Sequence, residues 1–270
     1  MPNPGQSHEQ VSELILLGDP LSADQKLLDA LGATKGVVCL VGAGGKKTTM
    51  YALARMHSGR VLLSSTTHMY AYRTDLVDRV EMLSDRDAPL PELSSGRVVA
   101  LATQTDTAHR VGGVPAGRLE EIYRQGHFEV CLIKADGARA RWIKTPGPNE
   151  PLIPSFATTV IPVVSVQVLG RRLDNDIAHQ PQRVANFLNM NIGDRFEEHH
   201  LIELLTNPAG SLKGVGEALV IPLINMVDSD ELCERARTIA LAVLARAPRI
   251  SRIVLASMKH ARLVDVIKRG

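Results

Sequence analysis

An α/β fold, built on a mostly parallel sheet of about seven strands flanked by helices, is what three features of this 270-residue chain predict. Runs of Val, Ile and Leu alternate with helical periodicities along most of its length. Those runs are nearly unbroken, as in strands covered on both faces. The first of them, residues 36–41, enters a small-residue turn (Gly42, Ala43, Gly44, Gly45). It leaves through Lys46, Lys47, Thr48 and Thr49 into a helix pattern carrying Met50, Leu53 and Ala54.

Residues 1–7 read as a polar tail, and 8–17, with Val11, Leu14, Ile15 and Leu17, as a short amphipathic helix. Ser22 and Gln25 have the spacing of a capping box, opening a helix with Leu27, Leu28 and Leu31 on one face. The helix after the glycine turn runs to about residue 57. Ser58 and Gly59 then turn the chain into a second strand, 60–65, which ends in Thr66, Thr67 and His68. Residues 71–95, rich in charge and proline, are expected to form a loop with a short helix. A third strand (97–103), a helix (114–124) and a fourth strand (128–136) follow. After a proline-rich run (Pro146, Pro148, Pro151, Pro154) come strands at 158–166, 218–225 and 252–257, with helices at 230–245 and 260–268 after the last two. Residues 169–216 interrupt the pattern with helical stretches at 183–190 and 197–205. They read as a helical insertion within a single domain spanning 1–270.

A hydrophobic content of 44% and a charged content of 22% are ordinary for a soluble globular protein. A net charge of +2 provides no field for nucleic acid or membrane binding, and 3% aromatics leave no base-stacking platform for single strands. Cys39, Cys131 and Cys233 lack metal-ligand spacing, and no apolar run is long enough to span a bilayer. A reducing, cytoplasmic setting is expected.

Strand, glycine turn, lysine and helix together suit phosphate binding. Glycines let backbone N–H groups converge on an anion, the helix N-terminus adds its positive end, and a lysine adds full charge. The match to the usual phosphate loop is inexact. If Lys46 is the phosphate lysine, Lys47 stands at the hydroxyl position; if Lys47 is, Lys46 replaces a glycine. In a doubly wound sheet ligands bind at the carboxyl ends of strands, which adds further candidates. Asp136 closes the fourth strand, where a carboxylate serves Mg²⁺ in phosphate-loop nucleotidases, with Thr48 as the hydroxyl ligand. Asn225 and Asp228 resemble the GTPase signature that reads guanine, although Met226 replaces its lysine, and residues 256–259 follow as a segment that would close over the base. Arg139, Arg141 and Lys144 either stabilise a transferred phosphoryl group, hold an acidic acceptor or form a solvated surface. His199 and His200, adjacent on a helix, read as surface residues.

Taken together, Val41-Gly-Ala-Gly-Gly-Lys46, Ser65-Thr-Thr-His68, Ala135-Asp-Gly-Ala-Arg139, Trp142-Ile-Lys144, Asn149-Glu-Pro-Leu-Ile-Pro154 and the Asn225/Asp228 pair resemble the YqeC family, over most of the chain from about residue 22. The resemblance implies a P-loop NTPase-like fold and an accessory role in maturing a selenium-dependent molybdenum hydroxylase, with that hydroxylase or its cofactor-maturation proteins as partners. Three positions depart from the family pattern: Lys47 replaces the usual Thr, Lys134 the usual acidic residue, and Met226 the usual Lys. These changes weaken Mg²⁺ binding and leave Lys47 or Lys134 to neutralise phosphate charge. The expected protein is therefore a slow Mg²⁺-dependent ATPase or GTPase. In this reading Lys46, Lys47 and Arg139 act on the phosphates, residues 42–49 cradle them, and Asn225 and Asp228 hold the base. A small-molecule kinase or nucleotidyltransferase, or a non-catalytic nucleotide- or anion-binding scaffold, are the alternatives.

Overall fold

The computed structural model describes residues 21–84, 93 and 95–270. The helix expected at 8–17 lies outside them. In chain order the elements begin with α1 (Ala23–Ala30), β1 (Gly36–Gly42), α2 (Lys46–Met56), β2 (Val61–Ser65), β3 (Met69–Tyr70), β4 (Arg79–Leu83) and β5 (Val98–Thr103). Next come β6 (Arg110–Val111), α3 (Ala116–Gln125), β7 (Val130–Lys134), β8 (Ile143–Lys144), β9 (Thr159–Ser165) and β10 (Ala178–His179). The last are α4 (Pro181–Leu188), α5 (Glu198–Thr206), β11 (Leu219–Val220), β12 (Leu223–Asn225), α6 (Asp230–Arg246), β13 (Arg252–Ser257) and β14 (Arg262–Lys268).

The main sheet runs β14-β13-β12-β9-β1-β7-β2-β5-β4, with β11 also pairing β9. Every pairing in it is parallel except β13 with β14. Alternation along β1 sends Val37, Cys39 and Val41 to one face and Val38 and Leu40 to the other. The first face is covered by α3 to α6 through side chains such as Leu119, Leu188, Leu201 and Val243. The second is covered by α1 and α2 through Leu27, Leu31, Met50 and Leu53. The chain leaves β1 toward β2 and leaves β7 toward β9, so the connections diverge around the centre of the sheet. A crevice at the carboxyl ends follows there, and the glycine turn opens into it.

Several expectations need correction. Residues 260–268 form the strand β14 and not a helix. Leu263 and Val266 pack with one core cluster, Val264 and Ile267 with the other. The spacing of three within each pair, which mimics a helix, comes from a β-bulge at Val264, where the pairing with β13 shifts register. Ala261, at φ 52°, ends a short 3₁₀ turn and lets the chain reverse onto β13. Part of the segment expected as loop and helix is β4, whose charged residues fit the sheet edge it occupies. The strand at 218–225 divides at Ile221 and Pro222 into β11 and β12. Only half of the Ser22 box forms: Ser22 caps the Gln25 N–H, while the Gln25 amide donates to Asp29. His200 is buried, not a surface residue, because its Nδ1 accepts the Glu197 N–H and so caps α5.

Candidate functional site

The glycine turn joins β1 to α2 by a path that only glycine follows easily. Gly44 and Gly45 have φ of 93° and 117°. A Cβ on Gly44 would lie 2.6 Å from the Ser165 amide nitrogen, and one on Gly45 would lie 2.5 Å from Asn225 Nδ2. The turn is also tied from both sides. The Ala43 N–H donates to Val163 O, the Gly44 N–H to Arg141 O, and Asn225 Nδ2 to Gly44 O. Thr49 makes the first intrahelical bond, from its N–H to Gly45 O. Among the described residues no protein acceptor meets the N–H groups of Gly45, Lys46, Lys47 or Thr48. Gly45→Ala is therefore expected to lower stability by about 1–3 kcal/mol and to weaken anion binding severalfold. Thermal melts and anion titrations of the variant check both.

A cavity of about 440 Å³ lies over this helix start. Its wall includes six lysine and arginine side chains: Lys46, Lys47, Arg110, Lys134, Arg139 and Arg141. His68, Tyr70, Trp142, His179 and Met226 complete much of the remainder. Among the described residues no carboxylate lines it. Arg139 and Ala140 both adopt left-handed backbone, at φ 45° and 59°, a strained conformation for non-glycine residues that carries the Arg139–Arg141 loop across the turn.

Beneath the cavity sits a buried ionic cluster. Asp136 Oδ2 accepts the Gly42 N–H at 2.9 Å and lies 3.1 Å from Lys144 Nζ. Lys46 Nζ lies 2.9 Å from Asp136 Oδ1, close but not aligned as a hydrogen bond to that oxygen, and donates to Gly42 O. Lys144 also donates to Gly137 O and to Glu150 Oε2, each at 2.7 Å. Burial would raise the Glu150 carboxyl, but Lys144 and the Gly147 and Gly137 amides outweigh it and hold it below its ordinary value. Burial pulls Lys46 down, against the opposing pull of Asp136. Lys134, donating to Thr67 Oγ1 at 3.1 Å, is pulled down to about 7 by burial and by Lys46 and Lys144. Lys46 and Lys144 thus share Asp136 and Glu150, while Lys134 adds a third amine with no carboxylate of its own among the described residues, and the cluster favours an added anion.

Other residues proposed from the sequence take different positions. Lys47 Nζ reaches the Tyr70 and Ala71 carbonyls at 3.3 and 3.2 Å, with burial lowering its proton affinity. Thr48 is exposed at the cavity, whereas the Thr49 hydroxyl donates back to Gly45 O. Asn225 is buried behind the turn, its Oδ1 accepting the Met258 N–H. Both Asp228 oxygens accept from protein side chains, Ser257 Oγ and Gln167 Nε2, and Asp228 does not line the cavity. Gln104, just past the end of β5, lines a separate pocket. The sheet therefore gathers Asn225, Asp228 and Ser257 beside the loop, with Met226 forming the cavity wall.

A protein-held Mg²⁺ does not fit these residues. Asp136 has one oxygen on an amide and a lysine and the other on a second lysine. Thr48 supplies one open hydroxyl. Among the described residues no group of three or more His, Cys, Asp or Glu side chains is placed to hold a metal ion. Sequence reasoning missed Tyr70, Arg110, His179 and the support role of Glu150. Pairing of His179 with Lys144 across β10 and β8, and of Tyr70 with Arg110 across β3 and β6, brings them in, and neither ribbon has a distinctive local pattern. Burial, then Lys144, depresses the His179 proton affinity.

The family described as YqeC protein matches residues 38–182, a span that holds the loop, Asp136, Glu150 and His179. The chain is also similar to "Uncharacterized protein YqeC" of Escherichia coli (strain K12), 30% identical over 193 residues, which cover 68% of this chain and 74% of that protein. Among the described residues no helix is long and apolar enough to cross a membrane.

Proposed function

The chain belongs to the YqeC family, and from that footing we propose that it binds ATP or GTP by its polyphosphate tail over residues 42–48. The observation that carries this reading is a cavity wall with six lysine and arginine side chains and no carboxylate among the described residues. A unit charge 4 Å from a phosphate oxygen is worth from ~1 kcal/mol in bulk water to ~4 kcal/mol near a protein surface. Several such contacts favour a polyanion over any neutral ligand. The N–H groups of residues 45–48 add donors at the positive end of α2.

In phosphoryl transfer most of the catalysis comes from position and electrostatics. Lys46 and Lys47 at the helix start, with Arg139 across the cavity, would hold the β and γ phosphates while water attacks the terminal phosphorus. Met226, with Asn225 and Asp228 behind it, marks the side for the base. The activity proposed is a slow nucleoside triphosphatase, serving as an accessory factor in maturing a selenium-dependent molybdenum hydroxylase. A second reading, transfer to a small acceptor, is favoured by a cavity that extends to both sides of the loop.

Calorimetric titration of ATP and GTP, followed by phosphate-release assays with and without candidate acceptors, tests these readings. One-to-one binding with slow release in the absence of an acceptor is the expected result. Release only with an acceptor supports transfer, and binding with no release leaves a nucleotide-holding scaffold. Failure to bind either nucleotide would remove the proposal.

A further inference from the structure

The cavity has two ends, and a nucleotide bound over the loop with its base toward Met226 occupies one of them. Met226 lies on the β12 side of the loop. On the opposite side, past the carboxyl ends of β2 and β5, the wall is made by His68, Tyr70 and Arg110. Resting on the nucleotide reading, we infer that this wall is a subsite for a second ligand, one with a planar ring and an anionic group, held across the loop from the nucleotide's base.

The β3–β6 ribbon explains how the wall is built. Its two cross-strand pairs alternate: Met69 and Val111 are buried in the core, while Tyr70 and Arg110 turn outward into the cavity. Tyr70 is 60% exposed, although aromatic side chains are scarce in this chain and Tyr72 nearby is buried. The Arg110 guanidinium lies over the Tyr70 ring, 5.1 Å from its centroid. A guanidinium stacked on an exposed ring presents a flat apolar surface and a charge together, a combination that suits a planar anion.

The wall is also held at a fixed place relative to the loop. Lys47, the second residue of α2, binds the carbonyls of Tyr70 and Ala71, and the Ala71 N–H donates to His109 O. Lys134 stands between this wall and the ionic cluster, bonded to Thr67. A ligand on Tyr70 would therefore lie beyond the phosphates, at the end away from Met226. That is where an acceptor, or a second nucleotide-like phosphate ester, has to sit.

Dinucleoside polyphosphates supply a probe that spans both ends. Diadenosine pentaphosphate, or its guanosine counterpart if GTP is preferred, is titrated into the full chain alongside the mononucleotide and inorganic triphosphate. The dinucleotide is expected to bind at least about tenfold tighter than the mononucleotide, as stacking of one more base allows. Tyr70→Ala is expected to abolish that excess while changing mononucleotide affinity by less than about twofold, and Tyr70→Phe to retain it. Equal affinity for dinucleotide and mononucleotide in the wild type would overturn the subsite and leave the phosphate reading standing. Equal losses for both ligands in Tyr70→Ala would also overturn it, since Tyr70 would then serve the first nucleotide or the loop. If inorganic triphosphate itself fails to bind, both readings fall.

Discussion

Asp136→Asn is expected to lower the free energy of unfolding by about 3–5 kcal/mol at neutral pH, the usual cost of removing one partner from a buried ion pair. Asp136 is 1% exposed and is the carboxylate shared by Lys46 and Lys144. Its loss leaves Lys46, Lys134 and Lys144 with Glu150 as the remaining carboxylate of the cluster, and the Gly42 N–H with a weaker acceptor. The substitution also separates two roles for this residue. A carboxylate kept for Mg²⁺ sits in an empty site unpaired, and its removal relieves the apoprotein. A carboxylate that neutralises two lysines stabilises the protein before any ligand arrives. Urea unfolding of wild type and variant distinguishes them. A loss under about 1 kcal/mol would mean that Asp136 does not hold the cluster together.

Lys134→Met is expected to stabilise the protein at pH 6 by several kcal/mol more than at pH 10. Burial and the neighbouring Lys46 and Lys144 pull Lys134 to about 7 in the folded protein, from an ordinary value of 10.5. Below pH 7 the amine is charged in both states, and the fold bears the full cost of a third cation in the cluster. Between pH 7 and 10.5 the unfolded chain binds a proton that the folded protein has released, so this group's contribution to stability improves as pH rises. Lowering a lysine's pKa by 1 costs the fold ~1.4 kcal/mol while the amine stays charged, which makes the effect large. Denaturant unfolding of the pair at both pH values tests it. A variant advantage independent of pH would show that Lys134 titrates as an ordinary lysine.

Local sequence is enough for the strand–turn–helix at residues 36–56, because glycine content, apolar run and helix periodicity all lie within one stretch. The parallel sheet is legible for the same reason: β1, β2, β7 and β9 are buried on both faces and read as nearly unbroken apolar runs. What escapes depends on neighbours that only the sheet supplies. Asp136 carries the same letters whether it faces a metal or two lysines. Its partners arrive through β1 beside β7 and through the short β8, and Lys144 gives no sign in the sequence of being buried. Tyr70 and Arg110 lie 40 positions apart on two-residue strands, too short to leave a periodicity. The edge strand β14 reads as a helix in sequence because Leu263, Val264, Val266 and Ile267 have helical spacing, and only the bulge against β13 lets a strand carry it.

Everything proposed for this cavity requires that protein cations, and not a bound metal, prepare it for a polyphosphate. Calorimetric titration of inorganic triphosphate in a metal-chelating buffer, repeated at rising ionic strength, tests that requirement most directly. One site per chain is predicted, with affinity that falls as salt screens the lysines and arginines. No binding under chelation, with binding restored by Mg²⁺, would contradict it.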